Sequence, residues 1–458
     1  ERGWLTAVCY NYTHRRPSTR QLQHIGAPLD ALESSLDGDN LSILRCLRRR
    51  ALGQSLPVYL VGGPVRDALM GTPIKDLDFV VEGDGPEVAR QLAAELGGEV
   101  LAHERFGTAT VVLGRSRVDV VTARRELYPH PAALPQVTPS SIADDLARRD
   151  FSINALALPL GQSHPEVLDP HGGVDDIRRG LVRILHSNSF VDDPTRILRA
   201  VRYEQRLGFK IEDETLVHLQ DALAQGRLAS LTGDRLRHEL ERTLHEDRPE
   251  LPLKRSAALG ILAAVHPPLG DERATARLEA VAPGVTALGA FMDTGDTGDA
   301  GAGSLAYVAA LAYPLSMEQG EALVHRLNLT KAWAQAVRDA IQLREREGEL
   351  AAASLPRSRL VCLVQEFCKE AVLAVSRLTA SAAAARRLTE YLNELRFVAP
   401  SLNGRDLLAM GVPGGPMVGQ VLRELRDAKL DGEASTEEEE RRLVREILTR
   451  QGGPSGHG

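Results

Sequence analysis

Pro57-Val58-Tyr59-Leu60-Val61-Gly62-Gly63-Pro64-Val65-Arg66-Asp67, followed shortly by Asp76-Leu77-Asp78-Phe79-Val80-Val81, is the stretch on which the fold turns. The β-branched and aromatic run at Val58–Val61 reads as a short strand, Gly62-Gly63 as a turn, and Val65 to Met70 as the start of a helix. Leu77 to Val81 reads as a second strand. Residues i and i+2 of a strand share a face, so the carboxylates of Asp76 and Asp78 converge while Leu77 enters the core. Working outward, Pro86 to Leu96 has an amphipathic helical pattern, and Thr108–Leu113 and Arg117–Thr122 read as further strands. The front of the chain is therefore a mixed α+β domain.

Behind it the pattern turns helical, with predicted helices at Pro194–Leu207, Asp213–Ala224 and Gly233–Leu244 and through most of 251–395, apart from a Gly-rich break at Gly295–Gly303. These changes of character mark an extension at 1–56, partly disordered and ending in one helix, a mixed domain from Pro57, helices after about Asn154, and a separate tail from near Pro400. In the tail, Ser435-Thr436 reads as an N-cap ahead of the acidic turn Glu437–Glu440, and Gly452–Gly458 as a disordered end.

A chain of 458 residues with 43% apolar and 26% charged residues can bury a substantial core, which excludes disordered, collagenous and coiled-coil classes. Its four cysteines form no CxxC pair, so the expected compartment is a reducing cytoplasm without a structural zinc site. Leu305–Leu315, the longest apolar stretch, is too short to span a membrane, and no membrane partner is expected. A net charge of −7 argues against nonspecific nucleic-acid binding through a broad basic surface. The acidity is concentrated between Pro57 and Glu250, and clustered carboxylates in a phosphate-handling region call for metal.

Paired carboxylates at Asp76 and Asp78 suit hard Mg²⁺, which takes one or two carboxylates plus phosphate oxygens and water. Gly62, Gly63, Arg66 and Asp67, on a strand-to-helix turn, place backbone N–H groups and a guanidinium beside that site. An ordinary turn with a surface Arg66–Asp67 pair is the plain alternative. Asp119, on the apolar strand Val118–Val121, reads as a buried carboxylate that is either a third catalytic acid or a strand-edge residue. Arg148, Arg149, Asp150 and Asn154 gather two cations, an acid and an amide suited to phosphate and ribose hydroxyls. Asp193 opens a helix whose Arg196, Arg199, Arg202 and Arg206 recur at helical spacing and are expected to form one basic face.

In this order and spacing, GGPVRD, DLDFVVEG, RRDFSINALAL and DDPTRILRAVRYEQRLGF resemble the class II tRNA nucleotidyltransferase and bacterial poly(A) polymerase family. Weaker similarity, including DPHGGVDDIRRGLVRIL, extends the match to about residues 57–265, and LNGRDLLAMGVPGGPMVGQVL resembles a tail of some members. The resemblance implies a nucleotidyltransferase palm of the DNA polymerase beta superfamily as a head at 57–187, followed by an all-helical neck at 188–265 with nucleotide-base recognition, a helical body at 266–398 and a tRNA-binding tail at 399–458. It implies metal-binding roles for Asp76 and Asp78, triphosphate contacts for Gly62, Gly63 and Arg66, ribose and phosphate contacts for Arg149, Asp150 and Asn154, and base reading by Asp193 with Arg196. Asp192, Ser152 and Tyr203 stand where the family usually has Glu, Thr and Phe, and Pro64 stiffens the turn. None of these departures removes a charge the chemistry needs.

The expected activity is Mg²⁺-dependent addition of CMP and/or AMP, from CTP and ATP, to the 3′ end of tRNA, with two ions at the site. The same residues fit a poly(A) polymerase, and a catalytically inactive RNA-binding scaffold is the reading from another class. The segment TARRELYPHPAALPQVTPSSIADDL looks more like tRNA-type members and is expected to hold a flexible loop between Arg125 and Asp144 that governs the C-to-A switch.

Overall fold

The structure, a computed structural model, describes residues 28–54, 56–74, 76–103, 106–130, 132–133, 135–271, 273–291 and 302–451. The arm before Pro28, most of the Gly295–Gly303 break and the Gly452–Gly458 end lie outside the described residues. The chain divides into two compact units, one of residues 1–235 and 259–264, the other of 236–258 and 265–458. The neck expected at 188–265 is shared between them.

The first unit carries strands β1 (Val58–Val61), β2 (Leu77–Val81), β3 (Glu99–His103), β4 (Thr108–Leu113), β5 (Ser116–Thr122), β6 (Arg124–Leu127), β7 (Gln136–Pro139) and β8 (Ala157–Pro159). Six of these form one mixed sheet in the order β3-β4-β5-β2-β1-β8. Its pairs are antiparallel except β2 with β5, which run parallel. Parallel neighbours need a crossover, and the Gly85–Leu96 helix lies within it, burying Val88, Ala89, Leu92 and Ala93. Leu60, Leu77, Phe79, Val118 and Val120 fill the sheet core, each contributing about 1.5–3 kcal/mol by leaving water if large.

Several expectations change here. From Pro28 onward the supposed extension is two helices, Pro28–Ser35 and Gly38–Gln54, and the second buries Ile43, Leu44, Cys46 and Leu47 against the Gly85–Leu96 helix and β1. Its basic cluster is spent locally: Arg48 donates to the Ser163 carbonyl, and Arg49 and Arg50 reach Glu95. Strand β3 escaped sequence reading because it is a sheet edge with four of its five residues exposed, which leaves no period-two pattern. The Arg125–Asp144 segment is largely ordered by hydrogen bonds. Strands β6 and β7 form an antiparallel ribbon, and the Ile142–Ala147 helix follows, capped by Ser141 and anchored through Ile142 N–H to Glu82 at 2.6 Å.

The second unit is helical. Ala306, Ala309 and Ala310 meet Ala340, Ala371 and Ala374, small side chains that let helices approach closely, while Leu343, Val364, Val372 and Leu388 fill the intervals. A second core gathers Leu402, Leu407, Val412, Val421, Leu425, Val444 and Ile447 in the tail. The predicted cap holds: Thr436 Oγ1 accepts from Glu439 N–H at 3.3 Å, and the Glu439 carboxylate accepts from Ser435 and Thr436. Among the described residues, no helix is long and apolar enough to cross a membrane.

Candidate nucleotide-binding and catalytic site

The carboxylates sit on the open face of the sheet. Asp76 immediately precedes β2 and is exposed, Asp78 is half-buried on β2, and Asp119 on β5 is its direct partner in the parallel register. Asp119 is exposed, not buried as expected, because its strand is internal while this face of the sheet is uncovered there; it accepts a hydrogen bond from Thr110 Oγ1 at 2.6 Å. It is likewise not a strand-edge residue. Burial pushes the Asp78 carboxyl up to about 6; the nearby Arg149 charge opposes this, and the Asp119 and Asp76 charges add to it.

Beside the acids, β1 runs into Gly62, which has φ +74° and starts the Gly63–Met70 helix. Only glycine adopts this backbone readily, and a Cβ there would lie 2.7 Å from Arg149 Nη1. Arg66, 3% exposed, extends from the helix's first turns to Asn154 Oδ1 at 2.6 Å and to Asp67 at 2.9 Å. The plain Arg66–Asp67 pair therefore exists, but inside the protein. Asn154 passes the chain on to Asp150 at 3.1 Å, and Arg199 Nε donates to Asp150 Oδ2 at 2.9 Å. Burial alone would raise the Asp150 carboxyl; Arg199, Asn154 and Arg196 more than offset it and hold it down to about 2.

The arginine stripe is not one solvated face. Arg196 and Arg202 are buried, Arg199 is half-buried on Asp150, and only Arg206 is exposed. Arg66, Arg199 and Arg202 surround the Tyr203 ring at 5.1–5.9 Å, where its π-face favours cations. The helical period was legible, but the acids on distant segments that draw its residues inward were not.

Arg148 and Arg149 both lean on Asp145, which is fully buried; Arg149 Nη2 to Asp145 Oδ2 is 3.0 Å, and Arg148 also reaches Glu126 at 2.9 Å. Arg196 donates to the Arg148 carbonyl and to Ser189 Oγ, each at 2.7 Å. Asp193 is held elsewhere. Its Oδ1 accepts from Thr195 N–H at 3.0 Å and from Arg235 Nη2 at 2.7 Å, while Arg235 Nη1 donates to the Ala132 carbonyl at 2.9 Å. Asp145, Arg235 and Glu126, which accepts at 2.9 Å from the Tyr128 hydroxyl, are participants sequence reading missed. Asp145 had a signal, an acid three and four residues before two arginines at the end of a short helix; Arg235 had none, because its partners come from remote loops.

The structure thus joins Gly62, Gly63, Arg66, Asp67, Arg149, Asp150, Asn154, Arg199 and Arg202 around one turn, with Asp76, Asp78 and Asp119 next to it through Arg149. It keeps Asp193 and Arg196 on separate partners. Residues 58–183 match the Poly A polymerase head domain, and 208–271 match the probable RNA and SrmB-binding site of polymerase A. The A-adding tRNA nucleotidyltransferase of Geobacter sulfurreducens is 34% identical over 88% of this chain and 46% of its own length. The CC-adding tRNA nucleotidyltransferase of Deinococcus radiodurans is 34% identical over 88% of this chain and 93% of its own. The chain belongs to the tRNA nucleotidyltransferase and poly(A) polymerase family. It shares its architecture with the apo form of a CCA-adding enzyme, at TM-score 0.76 and 31% identity over 93% of this chain and 99% of that one. The Thermotoga maritima CCA-adding enzyme complexed with tRNA-CCA gives TM-score 0.71 and 30% identity over 92% and 99%. The chain spans about half the length of the A-adding relatives it matches: 46% of the Geobacter protein and 53% of the Halalkalibacterium halodurans one, to which it is 44% identical over 48% of its own length. The mixed-sheet head and helical rear half expected from the sequence are those of this family.

Proposed function

We propose that the protein is a tRNA nucleotidyltransferase that transfers CMP and/or AMP from CTP and ATP to the 3′ end of tRNA, in the cytoplasm. The observation that carries the reading is the Asp78–Asp119 register pair lying beside an Arg149 guanidinium packed over a Gly62 turn. Acids and a phosphate-binding cation meet at one point on an open sheet face. Relatives that add A and relatives that add CC both support the reaction type.

In the reaction, the RNA 3′ oxygen bonds to the α-phosphorus, its proton leaves, and the bond to the pyrophosphate oxygen breaks. Gly62, lacking a Cβ, leaves room for Arg149 over the turn, and the Arg149 Nε, buried without a hydrogen-bond partner, is a donor suited to a phosphate oxygen. Arg66 is locked by Asn154 and Asp67, so it contributes positive potential and a rigid turn rather than a mobile grip. The Arg199–Asp150–Asn154 chain fixes that framework to the Thr195–Leu207 helix, which holds the turn in one geometry.

Mg²⁺ fits this donor set. Burial, with a smaller push from the Asp119 and Asp76 charges, raises the Asp78 carboxyl to about 6, a penalty on its charged form that a bound cation relieves. Among the described residues, no three of His, Cys, Asp or Glu form a group that could hold a metal by themselves, so substrate oxygens and water would have to complete the coordination. Asp76 and Asp78 would hold it, with Asp119 beside them. When bound it supplies charge stabilisation at the reacting phosphate.

The test uses three tRNA transcripts, ending at the discriminator, at C and at CC, with labelled CTP or ATP. Extension of any of them supports the reading, and the pattern of extension assigns CC, A or CCA addition. Extension of none, with poly(A) synthesis on unrelated RNA, replaces it by the poly(A) polymerase reading.

A further inference from the structure

We propose that the open sheet face beyond Asp119, a row made by Thr110 and Leu101, seats the 3′-terminal nucleotide of the RNA that is extended. The proposal rests on the nucleotidyl-transfer reading above.

The register fixes the row. Leu101 on β3 is opposite Thr110 on β4, Thr110 is opposite Asp119 on β5, and Asp119 is opposite Asp78 on β2. Gly62 ends β1, on the other side of β2. Displacement at phosphorus runs in line, so the entering oxygen and the leaving pyrophosphate occupy opposite sides of the α-phosphate. If the leaving phosphates are held at Gly62 and Arg149, the incoming 3′ oxygen arrives from the β5 side. Within the sheet, the strands in that direction are β5, β4 and β3.

Those strands offer what a terminal nucleoside needs. Neighbouring strands are about 4.8 Å apart, which puts Thr110 and Leu101 roughly 5 and 10 Å beyond Asp119, the reach of a ribose and its base. Thr110 Oγ1 donates to Asp119 Oδ1 at 2.6 Å, turning that carboxylate toward β4 and the expected hydroxyl. Leu101 is 54% exposed on an edge strand, an apolar surface on which a base can lie. Arg117, exposed two residues before Asp119 and on the same face, is placed for the adjoining phosphate.

Leu101→Ala and Leu101→Glu alter an exposed side chain, so both variants are expected to fold, as checked by melting temperature. With a tRNA transcript lacking its last nucleotide, the KM for RNA should rise about tenfold in Leu101→Glu while the KM for the nucleotide stays within about twofold. A transcript carrying 4-thiouridine as its last residue should cross-link on irradiation to the peptide containing Leu101 and Thr110, a readout that does not depend on turnover. A wild-type protein that extends tRNA, paired with a Leu101→Glu variant of unchanged RNA KM and cross-links outside β3 and β4, overturns the platform alone. A wild-type protein that extends no transcript overturns the underlying reading and the platform with it.

Discussion

Asp78 lies where burial and charge oppose each other. Burial and two neighbouring acids raise its carboxyl while Arg149 lowers it, an arrangement that is costly unless a cation or substrate completes it. Asp76→Ala or Asp78→Ala should therefore cut nucleotide addition by at least about 10²- to 10³-fold, with far-UV circular dichroism unchanged; addition within about tenfold of wild type would remove both from the metal site. Asp150 is the contrasting case, because its pairing with Arg199 depresses the carboxyl to about 2. A depressed folded-state value stabilises the native protein above the ordinary carboxylate range near 3.8, and that stabilisation is lost as pH falls through 2. Asp150→Asn should lose on the order of 2 kcal/mol at pH 7, and its deficit should shrink between pH 4 and pH 2 when thermal unfolding of the two proteins is compared. A deficit that does not change over that interval would mean the ion pair is not its source. The Asp76-x-Asp78 alternation was legible in the sequence, since it needs only the strand period. The exposure of Asp119 was not, because Val118-Asp119-Val120-Val121 reads the same whether the sheet face it lines is covered or bare.

Among elements, Leu77–Val81 and Thr108–Leu113 were read with their observed limits, and the neck helices Asp213–Ala224 and Gly233–Leu244 likewise, since strong hydrophobic periodicity and end signals coincide there. The β6–β7 ribbon fell within the segment expected, on the resemblance, to be a flexible loop; its prolines do not interrupt the pairing, since Pro129, Pro131 and Pro135 come between the two strands in sequence and Pro139 ends β7. What holds its far end comes from another element. Ala132, at the unusual φ of +59°, accepts from Arg235 through its carbonyl and donates its N–H to the Val191 carbonyl at 3.3 Å, and the same Arg235 grips Asp193. Asp193 can read a base only if its carboxylate is aimed, and cytosine and adenine present an amino donor to such an acceptor where uracil and guanine present a carbonyl. Arg235→Ala should thus lower the preference for CTP and ATP over UTP and GTP by about tenfold, and Asp193→Ala or Arg196→Ala by at least as much. Competition incorporation assays measure this directly. Loss of rate with the wild-type preference intact in all three would make the cluster a structural support and move base reading elsewhere.

For the molecule as a whole, the charge balance governs how it can hold RNA. The resemblance ended near residue 265 and put a boundary there, yet residues 236–258 belong to the rear unit, where Glu250 accepts from the Tyr307 hydroxyl at 3.2 Å. The cations are similarly misleading when read as a list. Arg49 and Arg50 pair with Glu95, Arg148 and Arg149 with Asp145, Arg199 with Asp150, Arg235 with Asp193, Arg338 with Glu321 and Arg357 with Glu390. A guanidinium already paired with a carboxylate displaces few counterions from a nucleic acid, because its charge is neutralised before the RNA arrives. With a net charge of −7 in addition, tRNA binding should rest on a handful of phosphate contacts plus shape recognition of the acceptor end. Proteins making 6–10 phosphate contacts lose about 10³- to 10⁵-fold in affinity between 50 and 200 mM salt, so a handful of contacts predicts a loss of roughly 10²-fold or less. Filter binding of a full-length tRNA transcript across that salt range measures the slope. A loss of about 10³-fold or more would require a continuous basic track, and would mean that the arginine–carboxylate pairs of the head open to meet the RNA.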